Sequence, residues 1–167
     1  MLSVWRICAY KYRDTAFSGL GGLYVPGRWH EQGHRIVYTA QNLSLAALEV
    51  FVHLESDRVS LVAIQVNFPP SLSIEEVSVE SLPANWQDTA FYPKLQQIGK
   101  EWLISRRSPI LKVPSAIVPV ENNYLLNPEH PDVTYIRDEP IEFVFDRRMW
   151  KKIDILLPAL KSKDSGF

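Results

Sequence analysis

Cysteine is all but missing from this sequence. Cys8 stands alone among 167 residues, which excludes an intrachain disulfide and fits a reducing, cytoplasmic setting. It lies in the apolar run VWRICAY, where a buried thiol is expected rather than a nucleophile. Neither sign of charge is in excess: 18 Lys and Arg stand against 19 Asp and Glu, a net −1. Nucleic-acid binding by phosphate neutralisation needs a basic surplus, so direct contact with DNA or RNA is not expected. No apolar run approaches the roughly 20 residues of a membrane span. The opening MLSVWRICAYKYR has neither the apolar core nor the cleavage site of a secretory signal. Several chemical signatures are also absent. There is no HExxH, no CxxC, no P-loop and no G-x-S-x-G elbow, and the glycines between 19 and 27 do not match G-x-G-x-x-G. His30 and His34 are four apart, but Gly33 lies between them in a loop-like stretch, and no metal site is expected there.

What is present suits one soluble globular domain with a real core. Hydrophobic residues make up 46%, and five Trp, seven Tyr and seven Phe supply material for a core, a pocket or a partner surface. Strands are expected over 4–9, 35–39 and 59–68, the last nearly continuous in apolarity and so central and buried. A more exposed strand is expected over 72–79, and further strands over 110–113, 116–120 and 141–146. Residues 14–27 read as a glycine-rich loop, 83–92 as a loop around Trp86, and the Asn- and Pro-rich stretch 122–132 as turns. One helix starts at an Asn42 or Ser44 cap and runs to about Leu54; a second covers 93–107, with Pro93 in its first turn. The pattern predicts an α+β domain over 1–160, built of short, mostly antiparallel strands with few helices, and a flexible tail over 161–167.

One helix face poses the chemical question. In LSLAALEVFV, residues 43–52, Glu49 is the only ionisable side chain. Leu45, Leu48, Glu49 and Val52 share the spacing of one face. Burying an isolated carboxylate costs several kcal/mol, which helix propensity cannot offset. A buried Arg partner, a ligand or a cleft must compensate Glu49. Three other residues have both a chemical and a plain reading. Arg28, in PGRWH, has the planar fork that grips phosphate, or it stacks on Trp29 at the surface. Tyr38 stacks on a planar ring or donates its hydroxyl, or simply packs in the sheet. Ser115 bonds a phosphate or orients the glutamate, or is an ordinary turn serine.

GRWHEQGHRIVYTAQNLSLAALEVFVH and PSAIVPVENNYLLNPEHPD together resemble the RES-domain family, bacterial toxins named for characteristic Arg, Glu and Ser residues. The ordered series G-R-W, I-V-Y-T-A, L-E, P-S and N-Y-L-L-N-P-x-H-P carries the resemblance, which spans about 5–150. It implies an ADP-ribosyltransferase-like fold and an enzyme that consumes NAD+ as substrate, with no bound cofactor. The family's arginine falls on Arg28, its tyrosine on Tyr38, its glutamate on Glu49 and its serine on Ser115. Asn127 matches a further position, expected to bind substrate.

The resemblance implies cleavage of the nicotinamide–ribose bond, with Glu49 stabilising the cationic ribose and Arg28, with or without Ser115, holding the pyrophosphate. Tyr38 would pack on the nicotinamide ring. Water, phosphate or a protein side chain would be the acceptor. A toxin of this kind implies an antitoxin partner with a helix-turn-helix domain, and leaves room for a homo-oligomer within their complex. Two competing readings are an RNA-cleaving toxin and a non-enzymatic protein-binding module.

Overall fold

Strand β1 (Leu2–Ala9) runs antiparallel to β3 (Leu61–Phe68) through eight residue pairs, from Leu2↔Phe68 to Ala9↔Leu61. That long antiparallel pair organises the molecule, a computed structural model that describes residues 1–54 and 58–150. The predicted tail over 161–167 lies outside the described residues. The remaining strands are β2 (Val37–Ala40), β4 (Ile74–Glu76), β5 (Ile110–Pro114), β6 (Asn122–Leu126), β7 (Ile136–Arg137) and β8 (Ile141–Phe143). They form one sheet in the order β4-β5-β6-β2-β1-β3-β7, with β8 also pairing β3. All pairings are antiparallel except β4 with β5. Among the described residues three α-helices accompany the sheet: α1 (Gly21–Tyr24), α2 (Leu43–Phe51) and α3 (Tyr92–Ser105). The architecture is the expected α+β domain of short strands and few helices.

Local chemistry explains each helix. The side chain of Asn42 accepts from the Leu45 N–H at 2.7 Å and starts α2, as a cap should. Leu45 and Ala46 then bury against Ile7, Ala40, Leu61 and Ala63, which seats α2 on the sheet. Pro93 sits in the first turn of α3. This helix presses so closely on Trp29 that a Cβ at Gly99 would meet the Trp29 carbonyl oxygen at 1.7 Å. Trp29, Trp86 and Trp102 pack together with Leu95, Leu111 and Leu125 to fill the space between α3 and the sheet.

Two expected elements are corrected. Residues 116–120, predicted as a strand, form a turn: the Ser115 hydroxyl takes the backbone N–H groups of Ile117 and Val118, each at 3.1 Å, so neither is offered to a neighbouring strand. Residues 122–126, predicted as turns, form β6 between β2 and β5, with Leu125 and Leu126 in the core. Partners on both sides outweigh the turn preference of two asparagines. The loop over 14–27 also contains the short helix α1 and the end of a 3-10 turn at Tyr10–Thr15.

Candidate active site

Glu49 lies near the end of α2. Its predicted face grades from core to solvent: Leu45 is fully buried, Leu48 and Glu49 are half-buried, and Val52 is exposed. Among the described residues no Lys, Arg or His pairs with the carboxylate, so the buried-arginine reading is not what compensates it. Two neutral donors do. The Ser115 hydroxyl donates to Glu49 Oε1 at 2.8 Å, and the Asn123 amide Nδ2 donates to the same oxygen at 2.5 Å. Oε2 accepts no hydrogen bond from the described residues. A carboxylate with one oxygen anchored and the other free is a preoriented acceptor.

Ser115 is fully buried and fully committed. Its oxygen receives two backbone N–H groups while its hydrogen goes to Glu49. Of the two chemical roles open in the sequence, its bonds serve orientation of the glutamate.

Tyr38 shares this neighbourhood. Side chains alternate along a strand, so Tyr38 and Ala40 lie on one face of β2; Asn123 is opposite Ala40 on β6 and shares that face. The Tyr38 hydroxyl accepts from the Trp29 N–H at 3.1 Å and lies 2.9 Å from His30 Nδ1. His30 Nε2 lies 3.1 Å from the Val25 carbonyl, which only accepts, so Nε2 carries the hydrogen. Burial, the largest influence, pushes the His30 pKa down and keeps the ring neutral. Nδ1 is therefore the acceptor, and the phenol donates to it. Burial also raises the Tyr38 pKa, against a smaller lowering by the Trp29 N–H, and the phenol stays protonated. Gly27 makes this arrangement possible, since a Cβ there would meet the Tyr38 hydroxyl at 2.7 Å.

Arg28 is held from a different side. Its Nη1 donates to the Gln87 carbonyl at 2.8 Å and more weakly to the Trp86 carbonyl at 3.4 Å. The guanidinium lies 4.7 Å from the centre of the Tyr92 ring and 5.8 Å from that of Trp86, a cation–π bed. The expected stacking partner, Trp29, is instead buried in the core against Trp86. Gln96 of α3 donates to the Gly27 carbonyl at 2.9 Å and steadies the loop. Arg28 directly precedes Trp29, whose N–H bonds the Tyr38 hydroxyl, and Glu49 is bonded to Asn123, which lies two residues from Leu125, the strand partner of Tyr38. The fold thus brings Arg28, Tyr38, Glu49 and Ser115 into one neighbourhood.

Asn127 lies elsewhere. Its Oδ1 accepts from the Glu129 N–H at 3.0 Å, its Nδ2 faces the Leu103 carbonyl at 3.5 Å, and it is buried. It lines a cavity of about 470 Å³ with His34, Arg35, Leu103, Ile104, Arg106 and Glu129, none of them from the group around Tyr38. His30 and His34 belong to no cluster of three or more metal-ligating side chains among the described residues. The sequence reading missed Asn123, His30 as the partner of Tyr38, and Tyr92. Asn123 was hidden by the turn-like composition of its stretch; the alternation of Asn123 with buried Leu125 was the available signal.

A chain of the M. tuberculosis MbcT–MbcA toxin–antitoxin complex superimposes with a TM-score of 0.69 over 90% of this chain and 87% of that one, at 11% identity; the shared feature is the fold. The RES domain family model matches residues 3–147, and the protein belongs to that family. It is 38% identical over 157 residues to the Prs ADP-ribosylating toxin of Sphingobium sp. strain YBL2, covering 90% of this chain and 98% of that protein. It is 37% identical over 154 residues to the Toxin Res of Photorhabdus laumondii, covering 89% and 97%.

Proposed function

We propose that this protein is the toxin of a toxin–antitoxin pair and that it consumes NAD+ by breaking the bond between nicotinamide and ribose. The observation that carries the reading is Glu49: a carboxylate whose Oε1 is held by two donors and whose Oε2 has no partner among the described residues, with Arg28 next to the Trp29 N–H that bonds Tyr38. The names of the relatives, Toxin Res and ADP-ribosylating toxin, support it.

The chemistry follows from charge. Nicotinamide leaves NAD+ as a neutral base, so no strong acid is needed to expel it. The bonding pair departs with the ring nitrogen, and positive charge develops on the ribose. Glu49 Oε2 stabilises that charge and accepts from a ribose hydroxyl. The guanidinium nitrogens of Arg28 not bound to the 86–87 carbonyls grip the pyrophosphate and fix the ribose. Tyr38 and Tyr92 offer aromatic surface to the nicotinamide. Ser115 acts on Glu49, not on a phosphate. The acceptor is water, phosphate or a protein side chain. The partner is an antitoxin carrying a helix-turn-helix domain, which supplies the DNA contact that this chain's charge does not favour.

The test is nicotinamide release from NAD+ by the full chain, followed by mass spectrometry, with and without phosphate and with cell lysate. Glu49→Gln keeps the shape and removes the charge, and its rate is expected to fall by three orders of magnitude or more. Full turnover by that variant overturns the assignment. Free ADP-ribose, its phosphorylated form or a modified protein identifies the acceptor.

A further inference from the structure

We propose that Asn123 is a positioning residue of this site, holding Glu49 with one oxygen engaged and the other turned to substrate; the role rests on the NAD+-consuming reading above. Asn123 is fixed in β6 between two strands, opposite Ala40 of β2 and Val113 of β5. It is 9% exposed, and its Nδ2 donates to Glu49 Oε1 at 2.5 Å. Its own Oδ1 is buried and has no partner among the described residues.

That orphaned oxygen is informative. A buried carbonyl without a hydrogen bond is destabilising, and an apolar side chain of similar size would avoid the cost. What the amide gains lies at its other end, where a charge-assisted bond to a carboxylate is stronger than a neutral one. The geometry gives the amide one partner, and that partner is Glu49.

Ser115 alone leaves the carboxylate free to turn about its last bond. A second donor on the same oxygen, from strand β6, removes that freedom. Oε2 is then aimed before substrate arrives, as electrostatic stabilisation of a developing cation requires. Asn123 acts through Glu49 and needs no contact with NAD+, so its effect belongs in the chemical step.

The experiment compares full-length wild type, Asn123→Ala and Asn123→Asp, measuring nicotinamide release against NAD+ concentration from pH 5 to pH 9. Circular dichroism confirms that each variant is folded. Asn123→Ala is expected to lower kcat tenfold or more and to change KM less than twofold. Asn123→Asp has the same shape but puts two carboxylates in contact, which cannot both stay ionised easily. Its rate profile is expected to gain an acid-side limb at least one pH unit above any in wild type. Tyr38 stays protonated over this range, and any limb from His30, which bonds Tyr38, is common to wild type and variant. An Asn123→Ala enzyme with wild-type kcat, or an Asn123→Asp profile superimposing on wild type, overturns the proposal while leaving the functional reading intact. If Asn123→Asp does not fold, Asn123→Ala decides. A wild type that releases no nicotinamide overturns the functional reading and the proposal with it.

Discussion

Tyr38 spends its hydroxyl on the protein, accepting from Trp29 and donating to His30. Tyr38→Phe keeps the ring and strips both partners of their bond, so urea unfolding is expected to show a loss of about 1–3 kcal/mol. Nicotinamide release by that variant should fall far less than in Glu49→Gln, because the ring surface remains. Arg28→Lys tests a different property. A lysine keeps the charge but loses the planar fork and the stacking on Tyr92, and KM for NAD+ is expected to rise at least tenfold. His30 makes stability depend on pH. Its pKa in the fold lies below the ordinary 6.5, so the unfolded chain binds the extra proton first. Its contribution is therefore present above about pH 6.5 and is lost as pH falls from there toward the folded value. Thermal melts across this window should slope downward with acid, and His30→Gln should flatten part of that slope. Arg28, Tyr38, Glu49 and Ser115 were singled out in the sequence by residue type and neighbours. Asn123 was not, because its contact with Glu49 depends on the strand register that sets it across from Ala40.

Legibility at the scale of elements followed the strength of local signals. The first and third strands, the Asn42 cap and the proline-started helix are written in short patterns, and the structure shifts their ends by a residue or two. Residues 116–120 and 122–126 were misread for one shared reason. A β-branched run became a turn because one serine hydroxyl captured two of its amides, and an asparagine-rich run became a strand because two neighbours were waiting for it. Side-chain capture and cross-strand partners are nonlocal or atom-level facts that composition does not carry. Two predictions belong to this scale. Asn42→Ala removes the cap of α2 and is expected to cost about 1 kcal/mol in chemical denaturation, since the Leu45 N–H loses its acceptor. Gly99→Ala drives a methyl into the Trp29 carbonyl and is expected to cost about 3 kcal/mol or more, the upper end of overpacking, or to prevent α3 from seating.

For the whole molecule, ligand binding and stability are coupled. Glu49→Gln should still bind NAD+ without consuming it, so its melting temperature can be followed as ligand is added. At a hundredfold excess over Kd the stabilisation is expected to be about 2.7 kcal/mol, and Arg28→Lys in the same background should lose most of it at equal NAD+. No helix among the described residues is long and apolar enough to cross a membrane. The sheet has one departure from antiparallel pairing, β4 beside β5, and parallel neighbours cannot be joined by a tight hairpin. The chain must travel out and back between Glu76 and Ile110, and Trp86, Gln87 and Tyr92 all lie on that excursion. The cushion beneath the guanidinium is thus carried by a detour that the strand arrangement makes compulsory. Relatives or engineered forms that trim this passage would forfeit the edge of the sheet and the arginine's seat in a single cut.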